Sequence, residues 1–448
     1  MAENEIRNII SAPFSLKLYT GLTSALIPIL HISKPLLAMY GGFKDTVPER
    51  LGKFSPVLDD LESKRGDKPL LWIHAVSVGE TSVAKVLIEA IRKQRPDCLI
   101  AVSVTTFTGR DYILKNFKPD ALFFFPLDLY PVMKRLVKKL EPDCFLDIEI
   151  ELWPNLFRAL TEAGVPMALA NGRISDRAAK PPSIAKCLYK WMYGAMDALF
   201  MRSPEDVMRA IALGAPKEKT HLAGNLKFAS CGVPPSDEER NRIRKLLGIE
   251  DKGSLLVAGS THPGEDEQII DAWRTMVHEM VPSDLAPLQL VIAPRHLEQV
   301  DRIVGLINDA GFTPELWTDI RDNGRKKDGV GIFVINTIGE LMNLYGAADI
   351  AFVGGSLIQR GGHNVLEPVA MGVPTMHGPS MANFHDIKNI LGNAGLLYEI
   401  MDKDEFAATA VKILKEVDRA DYLRRARDLI SKQMQAQDMI ADWVVGQL

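Results

Sequence analysis

Three carboxylates stand where a base could take a proton from a hydroxyl: Glu80 in "HAVSVGE", and Glu149 and Glu151 in "EIELWPN". Glu80 follows a glycine and falls in the first turn of an expected helix. It serves there either as a partner of the helix dipole or as a general base that Gly79 lets a substrate approach. Glu149 and Glu151 are separated by one residue at a strand end, and strand alternation sends such a pair to opposite faces, so only one of them is expected at a site. Trp153, before Pro154, is open to stacking on a ligand or to core packing. Further along, Pro294 stiffens a turn that presents Arg295, whose planar fork of donors suits a phosphate, a base edge or an ion pair with the carboxylates. Glu340 in "NTIGEL" opens another helix. In "RGGHNVLEPVAMGVPTMHGP", Gly361 and Gly362 turn the chain, Asn364 can cap a helix whose first turn holds Glu367, and Gly372 with Pro374 ends it. Such a loop either packs or aims unpaired N–H groups and a dipole end at a phosphate. His262 and His296 lie on different loops, without the helical spacing of a zinc motif, and no metal is expected. No Walker loop or strand-linked G-x-G-x-x-G occurs, which disfavours an ATPase or an NAD enzyme.

These residues need a scaffold, and the chain supplies one pattern twice. After Pro69, apolar runs alternate with amphipathic helices, the signature of parallel sheets with crossover helices. "LLWIHAVSVGETSVAKVLIEAIRKQ" reads as strand, loop and helix, followed by strands in "CLIAVSV", "ALFFF", "DCFLDI", "PMALANG" and "ALFM". "LLVAGSTHPGEDEQIIDAWRTMV" restarts it, again with Gly-Glu opening the helix, and the strands of "LQLVIAPRH", "GIFVINTIGEL" and "IAFVGGS" continue it. The unusual residues fall where strands end: His74, Ser77 and Glu80; Thr105, Thr106 and Thr108; Glu149, Glu151 and Trp153; Ser260, Thr261 and His262; Pro294, Arg295 and His296. An α/β protein of two Rossmann-like domains facing a cleft is predicted, with ligands at the carboxyl ends of the strands. The domains are set at residues 45–235 and 236–448, and the last helix is free to return to the first. "GVPPSDEERNR" is expected as the linker and "TDIRDNGRKKDG" as a surface loop.

A chain of 448 residues with 25% charged and 47% hydrophobic side chains is a folded protein of more than one core. The net charge of −4 disfavours a general nucleic-acid binder. Cys98, Cys144, Cys187 and Cys231 have no metal-ligand spacing and are expected as buried thiols. Leu18 to Ser33 carries no charge and is bracketed by Lys17 and Lys34. Its length is marginal for a bilayer span, so residues 1–44 are expected to anchor the chain by spanning or lying in a membrane, with a helical hairpin packed on a domain as the competing reading.

The ordered set "HAVSVGE", "TTFTG", "ELWPN", "NGRIS", "GNLKF", "STHPGE", "APRH", "IGEL", "FVGGS" and "GGHNVLEP" resembles the 3-deoxy-D-manno-octulosonic acid (Kdo) transferases of lipid A assembly. The resemblance runs in family order from the N-terminal apolar helix to near the end of the chain. It implies the GT-B arrangement, a place on the cytoplasmic face of the inner membrane of Gram-negative bacteria, and inverting transfer of Kdo from CMP-Kdo to the lipid A precursor lipid IVA, with no cofactor and no metal in the transfer step. Carried over by motif, it makes Glu80 the base on the acceptor hydroxyl and Glu149 its support. It puts CMP on Pro294 and Arg295, on Ile338, Gly339 and Glu340, and on Asn364, Val365, Leu366 and Glu367. Arg295 and the Gly361–Asn364 backbone would stabilise the departing CMP, and Lys44, Arg50 and Lys53 could meet acceptor phosphates or merely be solvated. The chain departs from the family pattern at Asn336, where an aspartate is expected, at Ser380 in place of a histidine, at Ala229 in place of an acidic residue, and in "PRHLEQ", which lacks a second proline and arginine. The alternatives are a GT-B nucleotide-sugar epimerase, a transferase of another sugar, and a non-catalytic membrane-bound relative.

Overall fold

The computed structural model describes residues 12–32, 46–54, 56–249, 253–280, 288–325 and 330–448. The chain divides into two compact units: residues up to Ser230 together with Lys432–Leu448, and Cys231–Ser431.

The first unit is built on a seven-stranded, all-parallel sheet. In chain order its strands are β1 (Leu70–His74), β2 (Leu99–Val104), β3 (Ala121–Phe124), β4 (Cys144–Ile148), β5 (Met167–Gly172), β6 (Ala198–Met201) and β7 (Thr220–Leu222), and in space they run β3-β2-β1-β4-β5-β6-β7. All five β1 residues are buried, as expected for a strand covered on both faces. Leu70 and Trp72 enter one core cluster, and Leu71 and Ile73 enter the other. The strand order reverses between β1 and β4, so the crevice beyond their carboxyl ends is the topological switch point where such sheets bind ligands.

Helix α1 (Phe14–Ala25) seats Leu16 in this unit's core, and its Thr20 hydroxyl donates to Asn155 Oδ1 over 2.6 Å. The packed helix of the competing reading is therefore present, although 1–11 and 33–45, with Lys34 and Lys44, lie outside the described residues. Among the described residues no helix is long and apolar enough to cross a membrane.

The second unit repeats the architecture with β8 (Ser254–Thr261), β9 (Leu288–Pro294), β10 (Pro314–Leu316), β11 (Ile332–Val334), β12 (Ile350–Val353), β13 (Thr375–His377) and β14 (Leu397–Glu399), ordered β10-β11-β9-β8-β12-β13-β14. Its switch point lies between β8 and β12.

Three expectations are corrected here. The stretch expected as a linker is helical over Asp237–Leu246, because Ser236 accepts from the Glu239 N–H, three acids occupy the first turn and Arg244 and Lys245 the last. The stretch expected as a surface loop is helical over Trp317–Asn323, anchored by buried Trp317 and Ile320. Of the cysteines, Cys98 and Cys144 are buried, but Cys231 is half-buried and Cys187 is exposed.

Candidate functional site

At the first switch point, helix α2 (Val78–Gln94) follows β1 with Ser77 at its N-cap, and Glu80 lies in its first turn. Glu80 Oε2 accepts from the Val76 N–H at 2.6 Å and Oε1 from the Ser77 hydroxyl at 2.9 Å. The carboxylate is thus tied to its own turn by both oxygens, and each keeps a lone pair for a further donor. With Glu149, Glu151, Arg173 and Ser175 it lines a pocket of about 270 Å³.

That Glu149 and Glu151 share the pocket corrects the expected alternation. Strand β4 stops at Ile148, and Glu149 takes a left-handed conformation with φ +66°. The period of two is broken at that residue, so both carboxylates turn to one side. The conformation costs a non-glycine residue about 1 kcal/mol or more. Neighbouring hydrogen bonds hold it: Glu149 N–H donates to Ala170 O at 2.9 Å, and Glu151 N–H to Asp147 Oδ2 at 2.9 Å.

Burial and crowding shift the protonation of Glu80 and Glu151. Burial first, then the Glu149 charge, pushes Glu80 above the usual carboxylate range, against the pull of the Val76 and Ser77 donors. Glu151 is pushed up to about 7 by burial and by the charge of Glu80. A counter-charge stands beside them, Lys227, whose Nζ is 3.5 Å from Glu149 Oε1. Lys227, within "GNLKF", carries no signal of this role in the sequence, because it comes from a short helical turn far along the chain that no local spacing connects to Glu149. Arg50, expected to be available to acceptor phosphates, is engaged elsewhere: its fork donates to Thr105 O and Thr46 Oγ1, at 2.7 and 3.1 Å, and lies over Phe124. Lys53 is exposed.

At the second switch point the same Gly-Glu turn precedes helix α3 (Asp266–Thr275). Glu265 is fully buried and accepts four backbone N–H groups: His262 at 3.2 Å, Gly355 at 2.7 Å, and Ser356 and Leu357 at 2.9 Å each. It clamps the loop after β12 to the loop after β8. Sequence reasoning missed this role; the signal was the mirrored "VGE" and "PGE".

Above the clamp, His262 Nε2 and His363 Nε2 are 2.8 Å apart, with rings stacked at 13°, and His296 meets His262 edge-on. One ring must donate and the other accept, so the accepting imidazole is neutral. Burial and the adjacent Arg295 charge push His363 down to about 4. Arg295 also opposes the rise that burial imposes on Glu367, after the larger opposing effect of the Asn364 amide, which donates to Glu367 Oε1 at 3.1 Å. Arg295, Asn364 and Glu367 therefore assemble with the histidines.

The glycine loop corrects another expectation. Gly361 and Gly362 have φ of +85° and +72°, and a Cβ at Gly362 would collide with the Met381 sulfur. The loop amides are not left for a phosphate: Gly361 N–H donates to Ser380 Oγ at 3.0 Å, Gly362 N–H to Gly355 O at 2.8 Å and His363 N–H to Gly354 O at 3.2 Å. Backbone donors buried in a tight loop are satisfied within it. Asn364 does serve the following helix α4 (Leu366–Ala370), accepting from the Leu366 N–H at 3.2 Å. Val365 and Leu366 are buried and can offer a ligand only backbone. Pro294 ends β9, Ile338 is 89% exposed and Gly339 has φ +98° with open space at its α-carbon. Glu340 joins none of the histidines; Arg321 is 3.5 Å from it. Asn336 bridges Thr318, accepting from its N–H at 3.2 Å and donating to its hydroxyl at 2.9 Å.

The family profile described as "3-Deoxy-D-manno-octulosonic-acid transferase (kdotransferase)" matches residues 45–230. The 3-deoxy-D-manno-octulosonic acid transferase of Haemophilus influenzae is 30% identical over 347 residues, 77% of this chain and 78% of that one. This chain belongs to the Kdo transferase family. It is thereby a glycosyltransferase that moves Kdo in lipopolysaccharide biosynthesis. A bifunctional glycosyltransferase/methyltransferase of Fusobacterium nucleatum is 33% identical over 354 residues, and the chain spans about half of that relative, 53% of its length. Among solved structures, MurG of Acinetobacter baumannii is similar in fold, with TM-score 0.53 and 14% identity over 85% of this chain and 100% of that one. The fold is α/β of the GT-B class.

Proposed function

We propose that this Kdo transferase takes its sugar from CMP-Kdo and delivers it to the lipid A precursor lipid IVA, with inversion and without a metal in the transfer step. The observation that carries the mechanism is Glu80, a raised carboxylate fixed at a switch point beside two more. In this reading Glu80 removes the proton of the acceptor hydroxyl as its oxygen attacks the anomeric carbon, and the C–O bond to CMP breaks. Lys227, paired with Glu149, offsets part of the like charge that Glu149 places beside Glu80. Arg295 meets the developing charge on the CMP phosphate, and Glu367, oriented by Asn364, accepts from ribose hydroxyls. The internally bonded Gly361–His363 amides leave most of the stabilisation to Arg295. The CMP phosphate is a good leaving group, so a fixed guanidinium can take the place of a metal ion in meeting the charge it gains on departure.

The reading includes residence at the cytoplasmic face of the inner membrane, by helix α1 lying in the interface. Phe14, Leu18, Leu22 and Leu26 are all exposed and recur every four residues, which gives one apolar stripe opposite the packed Leu16 and Thr20. Leu18→Ser with Leu22→Ser is expected to abolish co-sedimentation with anionic vesicles while the melting temperature stays unchanged.

The deciding assay combines purified wild type and Glu80→Gln with CMP-Kdo and tetraacylated lipid A precursor in detergent with a chelator, reading CMP release and product mass. Wild-type transfer is expected, with kcat in Glu80→Gln lower by about 100- to 10,000-fold and CMP binding retained. Absence of transfer by folded wild type would overturn the donor and acceptor, and a requirement for added metal would overturn the metal-free step.

A further inference from the structure

Helix α1 has two different sides. Opposite its exposed stripe, Leu16, Thr20 and Thr23 recur at the spacing of one helix face, with Leu16 in the core and both hydroxyls engaged by the first unit. What the hydroxyls meet is Asn155, the last residue of "ELWPN" and the second of the helix Pro154–Ala163. The membrane reading of α1 gives this contact no role.

Asn155 is fully buried, and its amide is engaged on every side. Nδ2 donates to Asp128 O at 2.6 Å and to Thr23 Oγ1 at 3.1 Å, while Oδ1 accepts from the Thr20 hydroxyl at 2.6 Å. A carbonyl only accepts, so the Asp128 bond fixes which end of the amide is nitrogen and makes Thr20 the donor. The backbone is held at the same place. Pro154 has no N–H and Trp153 at the N-cap makes no side-chain bond, so the N–H groups of Asn155 and Leu156 go instead to the two carboxylate oxygens of buried Asp128, at 3.0 and 2.9 Å. Four residues upstream, the Glu151 N–H is held by Asp147 Oδ2. The turn that carries Glu149 and Glu151 is therefore pinned at both ends. Between the pins, Ile150, Leu152 and Trp153 pack on the core cluster that contains Leu16 of α1.

We propose that helix α1 is a positioning element of the transfer site, acting through Asn155: the Thr20 and Thr23 hydroxyls lock the Asn155 amide, and that lock fixes the far end of the turn that sets Glu149 and Glu151 beside Glu80. Apolar side chains alone would bury the helix without choosing its rotation or register. Two hydroxyls on one amide do choose, since a slip of one residue leaves the Asn155 carbonyl oxygen buried without its donor. The helix thus joins the stripe assigned to the membrane, on one side, to the carboxylate pocket on the other.

The kinetic consequence rests on the reading that this pocket carries the transfer; the lock does not. Amide hydrogen exchange over residues 149–156 of the full-length protein, read by mass spectrometry, is expected to be about tenfold faster in Thr20→Val, which keeps the shape and loses the hydroxyl. It is expected to stay at the wild-type rate in Thr20→Ser, and also in Leu22→Ser, which alters only the outer stripe. Wild-type exchange in Thr20→Val would overturn the lock even if no transfer were ever measured. In the transfer assay in detergent, Thr20→Val is expected to lower kcat about tenfold through misplacement of the turn, with KM for the donor within about twofold of wild type, and Thr20→Ser to restore kcat. Thr23→Val, which removes the longer of the two contacts, is expected to move exchange and kcat in the same directions by about threefold, and it carries the test should Thr20→Val fold poorly. Wild-type kcat in both valine variants, or a loss in Thr20→Ser equal to that in Thr20→Val, would overturn the positioning role.

Discussion

The two Gly-Glu turns of this chain have the same local sequence logic and opposite fates. Glu80 and Glu265 each follow a glycine after a strand and begin a helix at a switch point of their sheet. Glu265 is fully buried with four backbone donors, so its valences are closed. Glu80 has two donors and faces a pocket with two other carboxylates. The difference lies in what the neighbouring loop supplies. After β12, Gly355, Ser356 and Leu357 present successive N–H groups that satisfy Glu265. After β4, the left-handed Glu149 presents side-chain charge instead, which adds to the rise in proton affinity that burial imposes on Glu80, whereas at Glu265 burial raises the carboxyl group and four backbone donors oppose it. A carboxylate whose hydrogen bonds are complete is structural, and one held by few bonds beside like charges is available for chemistry.

Stability separates the pair most strongly. Glu265→Ala leaves four backbone N–H groups buried, each costing about 1–3 kcal/mol when unsatisfied, so chemical denaturation is expected to show loss of the second unit's transition together with loss of CMP binding. Glu80→Ala removes one turn-closing carboxylate and is expected to cost about 1 kcal/mol, with the pocket's proton affinities lowered. Equal destabilisation by the two would break the contrast.

A subtler test uses pH. Glu151 is raised in the folded state, so the protonated form is the one that folding favours. Its contribution is fully present below the carboxyl group's ordinary value and disappears as pH climbs through about 7. Glu151→Gln is therefore expected to melt higher than wild type at pH 8, with the advantage shrinking towards pH 5. A pH-independent difference would place Glu151 outside the coupled group. The smallest effect belongs to Ser380→Ala, which removes the acceptor of the Gly361 N–H. Differential scanning calorimetry should show a loss of about 1 kcal/mol, with CMP affinity falling a few-fold as the glycine loop loosens.

Much of this was legible in the sequence where period and punctuation agreed. The strand–loop–helix alternation, both Gly-Glu turns, Arg295 and the Asn364–Glu367 pair could be placed at strand ends because each lies within a few residues of an apolar run. Local rules failed where a distant partner decides. Glu149 could not be placed by alternation, since its left-handed backbone depends on Ala170 of the neighbouring strand. The glycine-loop amides looked free because their acceptors, Gly354, Gly355 and Ser380, come from other turns. Lys227 stayed hidden for the same reason. The missed helix at Asp237–Leu246 is different: its Ser236 cap and acidic first turn were present to be read, and high polarity was mistaken for irregularity.

The long terminal helix α5 (Arg419–Val445) carries a consequence for the order of events during synthesis. Up to Ser431 it belongs to the second unit, where Tyr422 is buried and its hydroxyl donates to Leu396 O at 2.6 Å. Beyond Lys432 it fills the first unit's core with Ala436, Ile440, Ala441 and Val444. The ribosome therefore delivers the final pieces of the first unit only after the entire second unit has been translated. Until then the nascent first unit lacks four of the side chains that complete the core shared with Leu71 and Ile73, so its closure waits on the synthesis of the second unit.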